Sequence, residues 1–278
     1  MNYGLILSFL ACTLVWGQIQ TPQPSPSTSV IQTVGLTEIS LNYSRPATRG
    51  RVIFGDLVPY GEMWRAGANA NTTLEFTDPV SIEGKALAAG KYGLYIRPGV
   101  SIWEVFFYTE TNHNGLPNEW DPNAVAAVVE VEVIKQEQKI ESFTIAFNEL
   151  KQESAILRIG WEYAHVNLTI EVPTASKTMA SIKKTMQGTP KARDYYSAAV
   201  YYRETNRDLK QAKKWMGKAI ELEPGKYWMY RQQALILQAL NETNAAIEAS
   251  KISLELAEKA GNQDYVRLNT KSIEAWSK

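Results

Sequence analysis

Cysteine, histidine and net charge are the three things this sequence has least of. Its 278 residues include one cysteine, Cys12, which lies inside the signal peptide predicted below. The mature chain would then have no thiol, which excludes a disulfide framework, thiol catalysis and thiolate metal sites. The two histidines, His113 and His165, have no second histidine or carboxylate nearby at the spacing of metal ligands, so we expect no metal site. Lys plus Arg and Asp plus Glu each total 29, which argues against a protein that binds nucleic acid or a membrane surface through basic excess.

Long hydrophobic runs are also missing, apart from one near the start. The run from Gly4 to Val15 is about twelve residues long, too short to span a bilayer but typical of a signal-peptide core. Val15 and Gly17 supply the small residues expected before a cleavage site, although no Lys or Arg precedes the run. We therefore predict a signal peptide at residues 1–17 and an exported protein, periplasmic or extracellular. Because Cys12 follows Leu10-Ala11, a lipoprotein is the minor alternative.

The mature chain has two halves of different character. Residues 18–29 read as a Pro/Ser linker. In residues 30–173, short β-branched and aromatic runs alternate with Gly, Pro and Asn turns, which predicts an antiparallel β-sandwich domain. Residues 174–189 read as a second linker. The predicted fold class is therefore a multidomain α+β protein, an all-β antiparallel sandwich followed by an all-α array.

The helical half, residues 190–278, contains a repeat. Ala212, Ala219 and Leu222 recur 34 residues later as Ala246, Ser253 and Leu256. Small residues at a 34-residue period are typical of tetratricopeptide helix pairs, so we predict two such hairpins with a capping helix. Fewer than three repeats are marginal alone, which favours support from a protein partner or from the β-domain.

The zero net charge conceals two opposite halves. Residues 18–173 hold 11 basic and 18 acidic side chains, a net charge of −7, whereas residues 174–278 hold 18 and 11, a net charge of +7. Either the halves attract each other or the basic half faces an acidic partner.

One segment, residues 43–69, is neither strand-like nor low in complexity. Long connections in compact domains are usually functional, and this one combines arginines, glycines and large aromatics. Arginine suits bidentate binding of carboxylate or phosphate, and tryptophan and tyrosine offer flat faces for a sugar or a ring. The candidate ligand-binding residues are Arg45, Arg49, Arg51, Tyr60, Trp64, Arg65 and Asn69. The competing interpretation is that these arginines hold the loop by bonding backbone carbonyls.

The same segment carries a resemblance to a known family. The motifs Tyr-Ser-Arg-Pro, Gly-Arg-Val-Ile-Phe-Gly, Leu-Val-Pro-Tyr-Gly and Trp-Arg-Ala-Gly-Ala-Asn are followed by Ala-Gly-Lys-Tyr and a closing Trp161-Glu162 strand. This combination resembles the domain-of-unknown-function family catalogued as 2911, over residues 25–173. The resemblance implies an exported β-domain of Bacteroidetes type and brings no established activity. An acidic residue commonly follows Gly-Ala-Asn in that family, whereas this chain has Ala70, so no acid role is carried over to that position.

These observations favour a binding or scaffold protein over an enzyme. The β-domain would hold a small anionic or glycan-like ligand, and the helices would contact a protein. A periplasmic hydrolase or isomerase that uses Glu62 or His113 as base is one alternative, and a purely structural domain without ligand is another. No Gly-x-Ser-x-Gly elbow, Walker loop or dinucleotide motif is present, so we expect no cofactor. Nucleic acid is not an expected partner.

Overall fold

The computed structural model describes residues 21–278, so the predicted signal peptide and Cys12 lie outside the described residues. The chain divides into two compact units, one ending at Thr174 and the other running Ala175–Lys278. We call them the β unit and the helical unit.

The β unit consists of two antiparallel sheets. A six-stranded sheet has the order β1-β2-β3-β6-β7-β8, and a four-stranded sheet has the order β5-β4-β10-β9. The strands are β1 (Ser27–Val34), β2 (Thr37–Ser44), β3 (Thr72–Phe76), β4 (Val80–Ile82), β5 (Lys85–Leu87), β6 (Gly90–Pro98), β7 (Ile102–Tyr108), β8 (Val125–Glu132), β9 (Ile134–Asn148) and β10 (Ser154–Glu171).

The core of the β unit lies between the two sheets and follows from period-two alternation. In β2, for example, Ile39, Leu41 and Tyr43 point inward, while the residues between them are less buried. Trp103 from the six-stranded sheet and Trp161 from the four-stranded sheet are among the largest fully buried side chains of this core. The prediction of an antiparallel sandwich is confirmed.

The first strand begins earlier than the spacer prediction placed it. The predicted linker covers residues 18–29, whereas β1 starts at Ser27 and pairs with β2 along its whole length. The backbone N–H of Arg45 donates to the carbonyl of Pro26 at 2.9 Å, which fixes the chain just before β1. Burial alternates along β1, with Val30 half-buried and Ile31 exposed, as expected of an edge strand, and the Pro/Ser composition conceals this role.

The helical unit follows directly. Its helices are α1 (Thr174–Met186), α2 (Ala192–Glu204), α3 (Leu209–Leu222), α4 (Tyr227–Ala239), α5 (Thr243–Lys259) and α6 (Gln263–Trp276). The prediction of a helical array after the β-domain is confirmed. Residues 174–189, however, were predicted as a linker and mostly form α1. No glycine or proline interrupts this stretch before Gly188, so nothing in it stops a helix.

The 34-residue period has a clear structural counterpart. Helix α3 begins at Leu209 and α5 at Thr243, so equivalent small residues occupy equivalent positions. Ala212 and Ala246, and likewise Ala219 and Ser253, are fully buried. Helix α2 packs on α3 and α4 on α5, which makes two helical hairpins. Assignment of these hairpins to the tetratricopeptide class stays a prediction.

Within residues 21–278, none of the helices is both long and apolar enough to cross a membrane.

Candidate functional site

The segment between β2 and β3, residues 45–71, forms a long loop that we call the arginine loop. Its ends are fixed to both sheets: Ala47 forms a bridge with Ser142 of β9, and Trp64 forms one with Ile96 of β6. Between these bridges, the buried side chains of Ile53 and Val58 anchor the loop in the core. The loop is therefore ordered by the sandwich rather than by secondary structure of its own.

Several residues around this loop adopt the left-handed backbone region, which non-glycine residues rarely occupy. Arg49, Ala66 and Asn69 of the loop have φ of 50°, 52° and 59°, and Glu162 of β10 has φ of 56°. Gly67 has φ of 146°, and a Cβ there would lie 3.0 Å from the carbonyl oxygen of Ser44, so only glycine fits. Strained backbone of this kind concentrates at binding and active sites.

The arginine loop borders a cleft of about 360 Å³, a size typical of small-molecule sites. Three guanidinium-bearing side chains, Arg49, Arg51 and Arg65, line it. The residues that line the cleft are Pro24, Ser25, Pro46, Ala47, Arg49, Arg51, Leu57, Val58, Trp64, Arg65, Gly67, Ala68 and Trp161. No acidic side chain belongs to this set, so the cleft is electropositive although the β unit as a whole is acidic.

The three cleft arginines have no carboxylate partner within residues 21–278. Arg49 donates from Nη2 to the carbonyl of Pro24 at 2.9 Å. Arg51 donates from Nε to the carbonyl of Thr48 at 2.9 Å and from Nη2 to that of Ala47 at 2.7 Å. The Nε atom of Arg65 is buried and has no hydrogen-bond partner among the described residues. The carbonyl bonds of Arg49 and Arg51 are those that the loop-holding interpretation predicts. Because carbonyls are neutral, these bonds do not cancel the charge, and each fork keeps N–H donors for a ligand.

The nearest carboxylates bind the loop backbone instead of its guanidiniums. Glu141 accepts from the Thr48 hydroxyl at 2.5 Å and from the Arg49 backbone N–H at 2.9 Å. Together with Lys139, these bonds lower the pKa of Glu141 to about 2. Glu162 accepts from the backbone N–H of Ile53 at 3.2 Å. The two acids thus hold the loop in place and leave the arginine charges uncompensated.

Two indoles form part of the cleft floor. The rings of Trp64 and Trp161 stack with centroids 5.8 Å apart and planes inclined by 17°. Phe143 contacts Trp64 edge-on at 5.0 Å, and Phe54 does so at 6.3 Å. Trp161 also donates from Nε1 to the carbonyl of Glu141 at 3.3 Å. Because other rings surround Trp64, it serves as rigid floor rather than as a free face for stacking a sugar.

The other three predicted site residues lie outside the cleft lining. Arg45 donates from Nε to the carbonyl of Phe143 at 3.1 Å and from Nη2 to the hydroxyl of Thr144 at 2.9 Å, so it ties the loop to β9. Tyr60 is exposed and covers Gly55. Asn69 donates from Nδ2 to the carbonyl of Ser25 at 3.2 Å and thereby holds one wall of the cleft.

Sequence reasoning missed three parts of the site. Pro24 and Ser25 belonged to a predicted linker, and Trp161 lies almost a hundred residues beyond the arginine loop. The alternation of β10 places Trp161 inward, but alternation alone does not identify which core residue reaches a cavity. The one sequence signal for Trp161 was its place in the closing motif of the resembled family.

Glu62 and His113, the candidate bases of the enzyme alternative, do not line the same cavity. Glu62 lines a separate cavity of about 340 Å³ with Arg97 and Trp120. His113 faces Glu110, with Nε2 3.1 Å from Oε2, and lines neither cavity. His165 is buried on β10, and burial followed by the charge of Arg158 lowers its pKa. Within the described part of the chain, no group of three or more His, Cys, Asp or Glu side chains could hold a metal ion.

The fold and the cleft together define the class: an antiparallel β-sandwich with a cationic cleft under its β2–β3 loop, followed by paired helices. Residues 25–170 match a family described as "Protein of unknown function (DUF2911)", and the chain belongs to this family. The resemblance recognised from the loop motifs is thereby confirmed. Comparison with curated proteins and with solved structures returned no match.

Proposed function

We propose that the β unit binds a small anion in the cleft, through Arg49, Arg51 and Arg65. The observation that carries this proposal is that three arginines line the cleft and no carboxylate is among the lining residues. Arg49 and Arg51 are exposed, whereas Arg65 is partly buried. A partly buried cation without a counter-ion, as Arg65 is, is unfavourable in a purely structural role, because desolvation is not offset by an ion pair. A bound carboxylate, phosphate or sulfate group would supply the missing charge and accept the free N–H donors.

The geometry favours a small anion over a neutral glycan. The floor indole Trp64 is enclosed by Trp161, Phe143 and Phe54, so it offers a ring edge rather than an open face. A glycan-like ligand fits this site best if it is acidic, since charge rather than stacking supplies the recognition.

The test is a titration of the full mature chain with inorganic phosphate, inorganic sulfate and glucuronate, with glucose as the neutral comparison. We expect the anions to bind and to raise the melting temperature, and glucose to do neither. Arg65→Gln should weaken anion binding at least about tenfold, the equivalent of ~1.4 kcal/mol. Arg158→Gln is the matched control, because Arg158 lies on the exposed side of β10 and bonds Asn167.

The alternatives give different outcomes in the same titration. If Arg65→Gln lowers the melting temperature and no anion binds the wild type, the arginines are architecture and the binding proposal is wrong. In a hydrolase or isomerase, Glu62→Gln or His113→Ala would abolish turnover while the fold stays intact. In the binding protein that we propose, both variants keep their affinity for the anion.

We further propose that the protein is exported and that the helical unit contacts a partner protein. Export is supported by the apolar run and small residues of positions 1–17, which lie outside the described residues. The partner-contact role is supported by the paired helices and by the net charge of +7 of residues 174–278.

A further inference from the structure

Three helices of the helical unit form one layer that differs from the other. Helix α4 contacts both α2 and α6, so these three helices lie side by side, while α3 and α5 pack behind them. Two of the arginines in the α2–α4–α6 layer are Arg203 on α2 and Arg231 on α4. From α6 it carries Tyr265 and Ser272.

Arg231 is a partly buried cation without a counter-ion. Its Nη1 atom donates to the hydroxyl of Ser272 at 2.8 Å, a neutral partner. Among the described residues, no carboxylate lies within ion-pair distance of Arg231. By contrast, Lys218 and Lys251, on the helix exteriors, each pair with a glutamate one turn away.

A second arginine, Arg203, lies on α2, which contacts α4. The side chain of Arg203 is 21% exposed, and its Nη2 atom pairs with Glu204 at 2.9 Å. Its Nε atom is buried without a partner among the described residues. Burial, and then the positive charge of Arg203, lower the pKa of Arg231. Because Glu204 already pairs with Arg203, Arg231 is the cation that lacks an anion, and a bound carboxylate would supply it.

Tyrosines border the two arginines. Tyr265 packs edge-on against Tyr227, with ring centroids 4.7 Å apart. Burial raises the pKa of Tyr196, on the same face of α2 as Arg203, so its hydroxyl stays protonated near neutral pH. A neutral phenol can donate a hydrogen bond to a carboxylate as well as form an apolar wall.

We propose that Arg231 and Arg203 form a carboxylate-binding site on the α2–α4–α6 layer, which receives an acidic side chain of a partner polypeptide. This inference rests on the proposed partner-contact role of the helical unit and specifies the chemical group of the partner that is bound. The net charge of +7 attracts an acidic segment, and the guanidinium of Arg231, with the donors of Arg203 that Glu204 does not occupy, binds one of its carboxylates. The site is separate from the cleft of the β unit, which lies in the other compact unit.

The experiment uses the full mature chain and fluorescein-labelled hexaglutamate, followed by fluorescence polarisation at about 50 mM salt, where charge interactions remain strong. Labelled hexaglutamine is the neutral probe. We expect hexaglutamate to bind and hexaglutamine not to bind. Arg231→Gln should weaken hexaglutamate binding at least about tenfold, and Arg231→Lys should weaken it less, since lysine keeps the charge but loses the fork.

Arg267→Gln is the matched control. Arg267 lies on α6, and its substitution removes the same charge as Arg231→Gln does. Arg267, however, pairs with Asp264 at an exposed position. If Arg267→Gln and Arg231→Gln weaken binding equally, diffuse charge explains the attraction and the inference is wrong. Absence of hexaglutamate binding by the wild type would also overturn it. Unlabelled glutamate and unlabelled hexaglutamate are then compared as competitors at equal concentrations of glutamate residues. If free glutamate displaces the labelled peptide as well as hexaglutamate does, the site binds small anions rather than a polypeptide, and the inference is again wrong.

The two proposed sites can be separated in one matrix of measurements. Arg65→Gln should lose phosphate binding and keep hexaglutamate binding, and Arg231→Gln should do the reverse. Should Arg231→Gln lower the melting temperature, Arg203→Gln repeats the test, because Arg203 is the second fork of the same site. A proposal therefore fails when its own variant keeps the binding that it should lose, whatever the other variant does.

Discussion

At the scale of single residues, the carboxylates beside the cleft bond the backbone of the arginine loop, and the arginine side chains line the cleft. Glu141 lies beside Arg49, yet it accepts from the backbone N–H of that residue and not from its guanidinium. A carboxylate that bonded the guanidinium would remove the charge that we assign to ligand binding. The local division of partners is thus what allows the same loop to be both ordered and cationic.

The low pKa of Glu141 leads to a pH-dependent prediction. Hydrogen bonds from Thr48 and the Arg49 backbone, helped by Lys139, lower this pKa to about 2, well below the ordinary 4.5. The bonds therefore stabilise the folded state fully above pH 4.5, and this contribution is lost as pH falls toward 2. We expect Glu141→Gln to melt below the wild type at pH 6 to 8, and the gap to shrink as pH drops below 4.5.

Glu137→Gln supplies the comparison for this measurement. Glu137 lies on the same strand, β9, and is exposed. Its substitution should change the melting temperature little at any of these pH values. A gap between Glu141→Gln and the wild type that stays constant from pH 8 to pH 3 would show that ionisation of Glu141 does not support the loop.

At the scale of elements, the β9–β10 hairpin is the support for the arginine loop. Its register shifts between Gly160 and Glu162, and again between Glu162 and Ala164. The bulge turns Glu162 into the left-handed region and aims its carboxylate at the backbone N–H groups of Ile53 and Phe54. We infer that the irregularity in β10 exists to hold the loop, since a regular strand would direct that side chain elsewhere.

Glu162→Ala should therefore loosen the loop without disturbing the sheet. Hydrogen–deuterium exchange is the measurement, because it reports on individual amides. We expect faster exchange at Ile53 and Phe54, with unchanged protection of the β9–β10 pairs such as Ile159 with Ile145. Equal loss of protection in both places would mean that Glu162 supports the whole sheet, and no change in either would mean that its bonds are dispensable.

Elements were easier to predict from sequence than the site they create. Alternation of apolar residues identified the strands, and the 34-residue period identified the helix pairs, because both patterns are local. Helix α1 was missed because its short polar sequence resembles a linker. Its clearest helix signals are at its two ends rather than along its length. The division between Arg45, which ties the loop, and Arg65, which faces the cleft, depends on contacts across the fold that no local pattern contains.

At the scale of the whole molecule, the two units have separate hydrophobic cores. The core of the β unit extends from Val34 to Val172, and the helical clusters include residues only from Tyr195 onward. The charges divide in the same way, −7 for residues 18–173 and +7 for residues 174–278. Each unit thus has a hydrophobic core of its own.

Division of the chain after Thr174 tests this independence. Residues 18–174 should unfold cooperatively with a β-type circular dichroism spectrum and keep their anion affinity, because core and cleft are complete within them. Residues 175–278 should be helical but less stable, since two hairpins and a cap bury little apolar surface. At pH 7 the first piece should bind an anion exchanger and the second a cation exchanger. If residues 18–174 unfold or lose phosphate binding that the full chain shows, the β unit depends on the helices and the division into two self-sufficient units is wrong.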